Sequence, residues 1–258
     1  MKGYKVPVFT KGNLLSQEML DAMKDYGVYG INNSYTGYSN GIVTGFKIHV
    51  EKGVIYIGEG LVRYEGRLLV STESVTVPMT PAGQWQAVKL AITDYEKTKN
   101  FEHHHMDIEV STNLEREANR MEICRVKLQN GANLRSEYRN FEDMETEFDT
   151  VNLINAQWSA YGEDSINPAV LLEFARQARK KNIANPNDTA FIQQILNCNG
   201  HALNRELIQF YINTRLERNR YDYTNMEIYE GLCRILKLTE TNVMPKTEIK
   251  KPRRLIVD

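Results

Sequence analysis

"FKIHVEKGVIYIGEGLVRYEGRLLVSTESVTV", residues 46–77, decides how the first half of this chain folds. Short runs rich in Val, Ile, Tyr and Leu are broken by Gly53, Gly58, Gly60 and Gly66, a pattern that predicts several β-strands joined by hairpins. Within "FKIHVE", period-two alternation puts Phe46, Ile48 and Val50 on one face and Lys47, His49 and Glu51 on the other. His49 is therefore expected to face solvent. The overlapping stretch 58–79 contains no Cys, His or Asp, so it reads as scaffold and not as a reaction centre.

Downstream, "PMTPAGQ" is a Pro-bounded loop and "WQAVKLAITDY" a further strand. "EKTKNFEHHH" reads as a polar turn and "MDIEVS" as a short strand. In "NLEREANRMEICRVKLQNG" the second half suits a strand with a bulge near Cys124 and Arg125, closed by a turn at Asn130 and Gly131. Upstream, "SQEMLDAMKDYG" predicts a helix capped by Ser16 and stopped by Gly27, with Leu15, Met19, Leu20 and Met23 at helical spacing. "GINNSYTGYSNGIVTGF" reads as loop and tight turns.

From "EDMETEFDTVNLINAQW" onward the glycines thin out and helix signals dominate. Asn167 and Pro168 make an N-cap followed by Pro at the first helical position. "NIANPND" separates that helix from the next, which Gly200 stops. "ALNRELIQFYINTRLERNR" places Leu203, Leu207, Phe210, Tyr211 and Thr214 on one stripe. The last helix is capped near Thr224 or Asn225, with a basic end suited to the negative pole of the helix dipole. The resulting expectation is an α+β chain in four parts. Residues 1–40 form an N-terminal segment with a short helix and loop, and 41–142 a β-rich domain, sandwich-like or a small barrel. Residues 143–240 form an α-helical domain and 241–258 an extended tail, whose Arg253, Arg254, Leu255, Ile256 and Val257 are suited to docking at a sheet edge.

A chain of 258 residues can bury a large core. Its formal charge of −1 lacks the basic excess of a dedicated nucleic-acid binder. It has no apolar run long enough to span a bilayer, and its start lacks the apolar core of a signal peptide. Neither nucleic acid nor membrane is expected as a partner. Cys124, Cys198 and Cys233, three in number and far apart, read as buried small side chains and not as a disulfide framework.

The chemistry-bearing residues form no complete motif. His103, His104 and His105 invite a metal, with His49 or His201 to complete it, but no paired Cys or H-x-x-x-H spacing accompanies them. Acid clusters at Glu142, Asp143 and Glu145, and at Glu115 and Glu117, read as solvated faces. "GEGLVRYEG" has neither a Walker lysine nor a following helix, and no nucleophile elbow is present. The expectation is a protein with no catalytic centre, cofactor or metal. Tyr26, Tyr29, Tyr35 and Tyr38 crowd a Gly/Asn/Ser-rich stretch whose composition suits a contact surface, with Tyr35 and Tyr38 as its partner-binding candidates.

The order "GIVTGFKIHVEKGVIYIGEGLVRYEGRLLVSTESVTVPM", "WQAVKLAI", "NRMEICRVKLQNGANLRSEYRNF" resembles the attachment domain of baseplate and tail-fibre proteins in contractile-tailed phages and phage-tail-like bacteriocins. The resemblance spans residues 40–142 and rests on strand patterning; where that group's exit segment carries an acid before its Arg, this chain has Glu137 and Arg139. It implies a structural subunit linking the baseplate to a peripheral fibre or receptor-binding component. It also implies multiple copies in a symmetric particle assembled in a bacterial cytoplasm, with other baseplate or tail-fibre proteins as partners. The alternative is a carbohydrate-binding receptor module recognising the bacterial cell surface.

Overall fold

The computed structural model describes residues 5–146, 148–181 and 185–241. Residues 242–258, with Arg253, Arg254, Leu255, Ile256 and Val257, lie outside the described residues. The chain is α+β: a β-rich first half is followed by a helical region. Its strands are β1 (Gly41–Gly45), β2 (Ile48–Glu51), β3 (Val54–Ile57), β4 (Gly60–Tyr64), β5 (Arg67–Ser71), β6 (Val75–Pro78), β7 (Gln86–Lys97), β8 (Glu102–Ser111) and β9 (Arg120–Val126). They form three antiparallel three-stranded sheets, ordered β1-β4-β5, β2-β3-β6 and β8-β7-β9.

The stretch 46–77 builds two sheets because one long ribbon folds over itself. Its tips are the two-residue loops Lys52-Gly53 and Glu65-Gly66, in each of which both residues have positive φ, the conformation whose twist matches flanking strands. Gly58 and Gly60 mark no hairpin turn; they sit where the ribbon changes sheet. There the Phe46 amide donates to the Glu59 carbonyl (2.8 Å) and the Gly58 amide to the Lys47 carbonyl (3.0 Å). Phe46, buried at the bend, lies so close to Gly60 that a Cβ there would stand 2.1 Å from its ring. Strands that cross a corner in this way let two small sheets face each other over one core. Ile55, Ile57, Val62, Leu69 and Val77 fill it together with Val88, Leu90, Ile123 and Val126 of the third sheet.

Several expectations need correction. Strand β1 occupies "GIVTG", which reads as loop in the sequence but is buried at Ile42 and Val43. Strands β7 and β8 run through "EK" and "EHHH", so the turn is confined to residues 98–101. The bulge in β9 falls at Ile123, between the pairs Lys89–Glu122 and Val88–Cys124, one residue before the predicted slip. Among its described residues, "EDMETEFDTVNLINAQW" is not helical beyond the 3-10 turn Glu142–Glu145. Residues 149–165 instead run as an irregular seam across the β-rich half, bridging Arg135, Arg125, Ile42 and Tyr38 in turn. Backbone bonds from Asn152 to Arg125 (2.8 Å), Gln157 to Glu122 (2.9 Å) and Ser159 to Ile42 (2.8 Å) hold it there. Local helix propensity loses to these long-range pairs and to burial of Val151, Ala156 and Trp158 in the β core.

Beyond the seam follow α2 (Pro168–Arg179), α3 (Pro186–Asn197), α4 (Arg205–Leu216) and α5 (Asn225–Thr241). Asn167, Asn185 and Asn204 each cap the following helix through the side chain. Thr224 and Glu227 form a reciprocal capping box at the start of α5. The buried residues of α4 are Arg205, Ile208, Gln209, Tyr211, Ile212 and Asn213; Phe210 and Thr214, expected among them, are exposed. The last turn of α5 holds no basic residue, contrary to the dipole expectation, because the helix continues past Lys237 to Thr241. The helical core gathers Phe141, Phe174, Phe191, Tyr211, Tyr229 and Leu232, with Phe191 and Tyr211 stacked at 3.9 Å between ring centroids.

Candidate assembly surface and polar cleft

Helix α1 (Gln17–Ser34) starts as the sequence predicts. Ser16 Oγ accepts from the Met19 amide at 3.3 Å. It does not stop at Gly27. Both Gly27 and Gly30 take ordinary helical geometry, and a Cβ at either would meet nothing within 4 Å. No residue of α1 is buried. On the helical wheel Met19, Met23 and Gly30 line one stripe, with Leu20 and Ile31 at its edge beside Lys24, while Glu18, Asp21 and Asp25 lie opposite. Leu20, Met23 and Ile31 are all about half exposed, and Val28 and Tyr29 stand out on other faces.

Where α1 meets the β-rich half, Tyr35 and Tyr38 come together edge to face, with centroids 5.2 Å apart. Tyr38 continues edge to face onto Tyr161 at 6.2 Å. Arg63 Nε holds the Tyr38 carbonyl at 2.9 Å, and Gly37 fits under the Tyr161 ring because it has no Cβ. Tyr35 and Tyr38 are half-buried, whereas Tyr161 is exposed. Tyr161 is the member that sequence reasoning missed, since only the seam brings it across to Tyr38.

The histidines are arranged by strand alternation. His103 and His105 share a face of β8, ring centroids 6.2 Å apart, while His104 faces the other way beside Tyr95 and Arg67. His49 stacks on Tyr56 across the β2–β3 pair (4.6 Å), and His201 is exposed in the loop before α4. Among the described residues no group of three or more His, Cys, Asp or Glu is placed to hold a metal ion. Among the described residues the far ends of β7 and β8, near exposed Tyr95 and Phe101, pair only with each other, because β9 reaches no further than Ala91.

A polar cleft of about 520 Å³ lies between the third sheet, the seam and the starts of α4 and α5. Each of its cations meets a carboxylate. Lys89, only 2 % exposed, donates to Glu117 (2.8 Å) and to the Glu115 carbonyl (2.9 Å). Arg125 grips Glu122 through two nitrogens at 2.6 and 2.9 Å, and Arg120 reaches Glu109 at 2.8 Å. Arg116 and Arg205 share Asp164, and Arg205 also holds the Tyr223 carbonyl (2.8 Å) and the Asn225 side chain. Burial pushes the Glu122 carboxyl above the usual range, against the pull of Arg125, Lys89 and Arg116. Below the floor, buried Gln209 has both amide atoms without a partner among the described residues. Tyr221 and Asp222 stand exposed on the rim.

No family model matches this sequence, and no curated protein matches it. Among solved structures the chain is similar to one described as the crystal structure of TssK, at 11% identity and a TM-score of 0.40, covering 93% of this chain and 72% of that one. It is also similar to a chain of the type VI secretion system TssK-TssF-TssG baseplate subcomplex, at 8% identity, a TM-score of 0.38 and coverage of 92% and 100%. A third is a chain of the baseplate complex from the type VI secretion system, at 10% identity, a TM-score of 0.36 and coverage of 92% and 70%.

Proposed function

We propose that this chain is a structural, non-catalytic subunit of a contractile injection machine's baseplate, phage or phage-like, linking the central baseplate to a peripheral fibre or receptor-binding component. The observation that carries the reading is α1, of which, among the described residues, no side chain is buried. An isolated helix of this length is marginal in water, and most helices in proteins are held by packing of an apolar face. A helix with Leu20, Met23 and Ile31 half exposed is accounted for by a surface that covers it elsewhere. The strand patterning of residues 40–142 supports the particle context.

The partner we assign to α1 is a different subunit offering an apolar groove with a basic rim. The polar side of α1 carries Glu18, Asp21 and Asp25 against the single Lys24, so two copies laid side by side would repel, while a basic rim would complement it. The test uses the full chain with Leu20, Met23 and Ile31 all changed to Ser, beside the unaltered chain, in lysates containing the products of neighbouring genes. The unaltered chain is expected to retain particle proteins and the triple variant to lose at least one, with thermal unfolding unchanged. Equal retention by both chains, or a contact formed only between copies of this chain, would overturn the assignment.

A further inference from the structure

We infer that the polar cleft between the third sheet and the helical region is a binding site for a neutral saccharide. The inference does not rest on the assembly reading; it stands on the chemistry of the cleft. A sugar ring offers hydroxyls that donate and accept at once, so it is recognised by side chains that present fixed donors beside fixed acceptors. The cleft is built this way. Arg125 with Glu122 and Arg116 with Asp164 are such pairs, their planar groups locked together and still reaching the cavity surface. Locked side chains lose little further freedom when a ligand binds.

Charge selects the ligand class. The lining holds Lys89, Arg116, Arg120, Arg125 and Arg205 against Glu115, Glu122, Glu163, Asp164 and Asp222, a formal balance of zero. Each of the five cations already has a carboxylate within salt-bridge distance. A phosphate or a polyanionic glycan would have to break existing pairs, whereas a neutral polyol adds to them. The volume of about 520 Å³ is in the range of small-molecule sites and accommodates a disaccharide. Exposed Tyr221 on the rim supplies the flat apolar face against which the C–H side of a sugar ring packs.

The test is saturation-transfer NMR on the full chain with four neutral disaccharides: maltose, lactose, cellobiose and the β-1,4-linked N-acetylglucosamine dimer. Each is supplied at about 10 mM, enough to fill a site of millimolar Kd. Sialyllactose and a short poly-glutamate peptide are the charged comparators. At least one neutral disaccharide is expected to receive magnetisation. Tyr221→Ala and Arg116→Ala, both altering exposed side chains, are each expected to weaken that binding about tenfold with thermal unfolding unchanged. Transfer to none of the neutral sugars, binding that both variants leave intact, or a preference for sialyllactose or poly-glutamate would each overturn the inference. Because the readout needs no partner protein, it is independent of whether α1 finds its subunit.

Discussion

Helices α1 and α5 are nearly the same length, 18 and 17 residues, and both begin with a hydroxyl side chain accepting from the backbone three residues on. In every other respect they differ. Ile228, Tyr229, Leu232, Ile235 and Leu236 of α5 are buried against α2, α4 and Phe141, whereas α1 buries nothing. The pair separates two sources of helix stability. Both have an N-terminal hydroxyl cap, so packing is the main difference: it makes α5 part of the fold, whereas no described residue of α1 is buried.

The widest gap is expected from core truncation. Leu232→Ala should cost about 2–5 kcal/mol in equilibrium unfolding, while Leu20→Ala should stay within about 0.5 kcal/mol of the parent. Equal losses would mean that α1 is packed on its own chain. Next comes a single hydroxyl. Tyr229 Oη donates to the Phe141 carbonyl at 2.8 Å in a fully buried setting, and Tyr229→Phe should cost about 1–3 kcal/mol, whereas Tyr29→Phe should be silent.

Smaller again are the caps. Thr224→Ala removes one half of a capping box and should lower stability by about 1 kcal/mol, but Ser16→Ala should change the helical circular dichroism signal and leave the cooperative transition where it was.

The smallest expected effect is a pH dependence. Arg135, with the Arg139 amide and the Thr146 hydroxyl, holds the Asp143 carboxyl well below the usual range, next to the turn that presents Phe141 to α5. A depressed folded pKa gives stability that is present above the unfolded value, about 3.9, and is lost as pH falls through the folded one. Thermal unfolding followed below about pH 4 should therefore show an acid loss that Asp143→Asn diminishes. The ion pair at α1, Lys5 with Glu18, also lowers the Glu18 pKa but is fully exposed, so Glu18→Gln should leave that acid limb unchanged.

What was legible in the sequence follows the range of the interactions involved. The ribbon of residues 46–77, the caps at Ser16, Asn167 and Thr224, and the solvent side of His49 are set by neighbours within a few residues, and each is readable from local pattern. The seam at 149–165 was not, because its backbone finds partners in β1 and β9 that no local signal encodes. The helix past Gly27 is not legible either: Gly27 argues for a stop on propensity, yet the helix runs on to Ser34. At the surface, Tyr35 and Tyr38 could be named from composition, but Tyr161 could not. The cleft was invisible, since its ion pairs join residues of three distant segments.

Backbone amide exchange along α1, measured with α5 as the internal standard, tests the central claim most directly. In the isolated full chain α1 amides are expected to exchange close to free-peptide rates while those of α5 are protected, and α1 is expected to gain protection when the chain is purified bound to its neighbouring subunit. Protection of α1 comparable to that of α5 in the isolated monomer, or an α1 that stays open in the assembled particle, would contradict it.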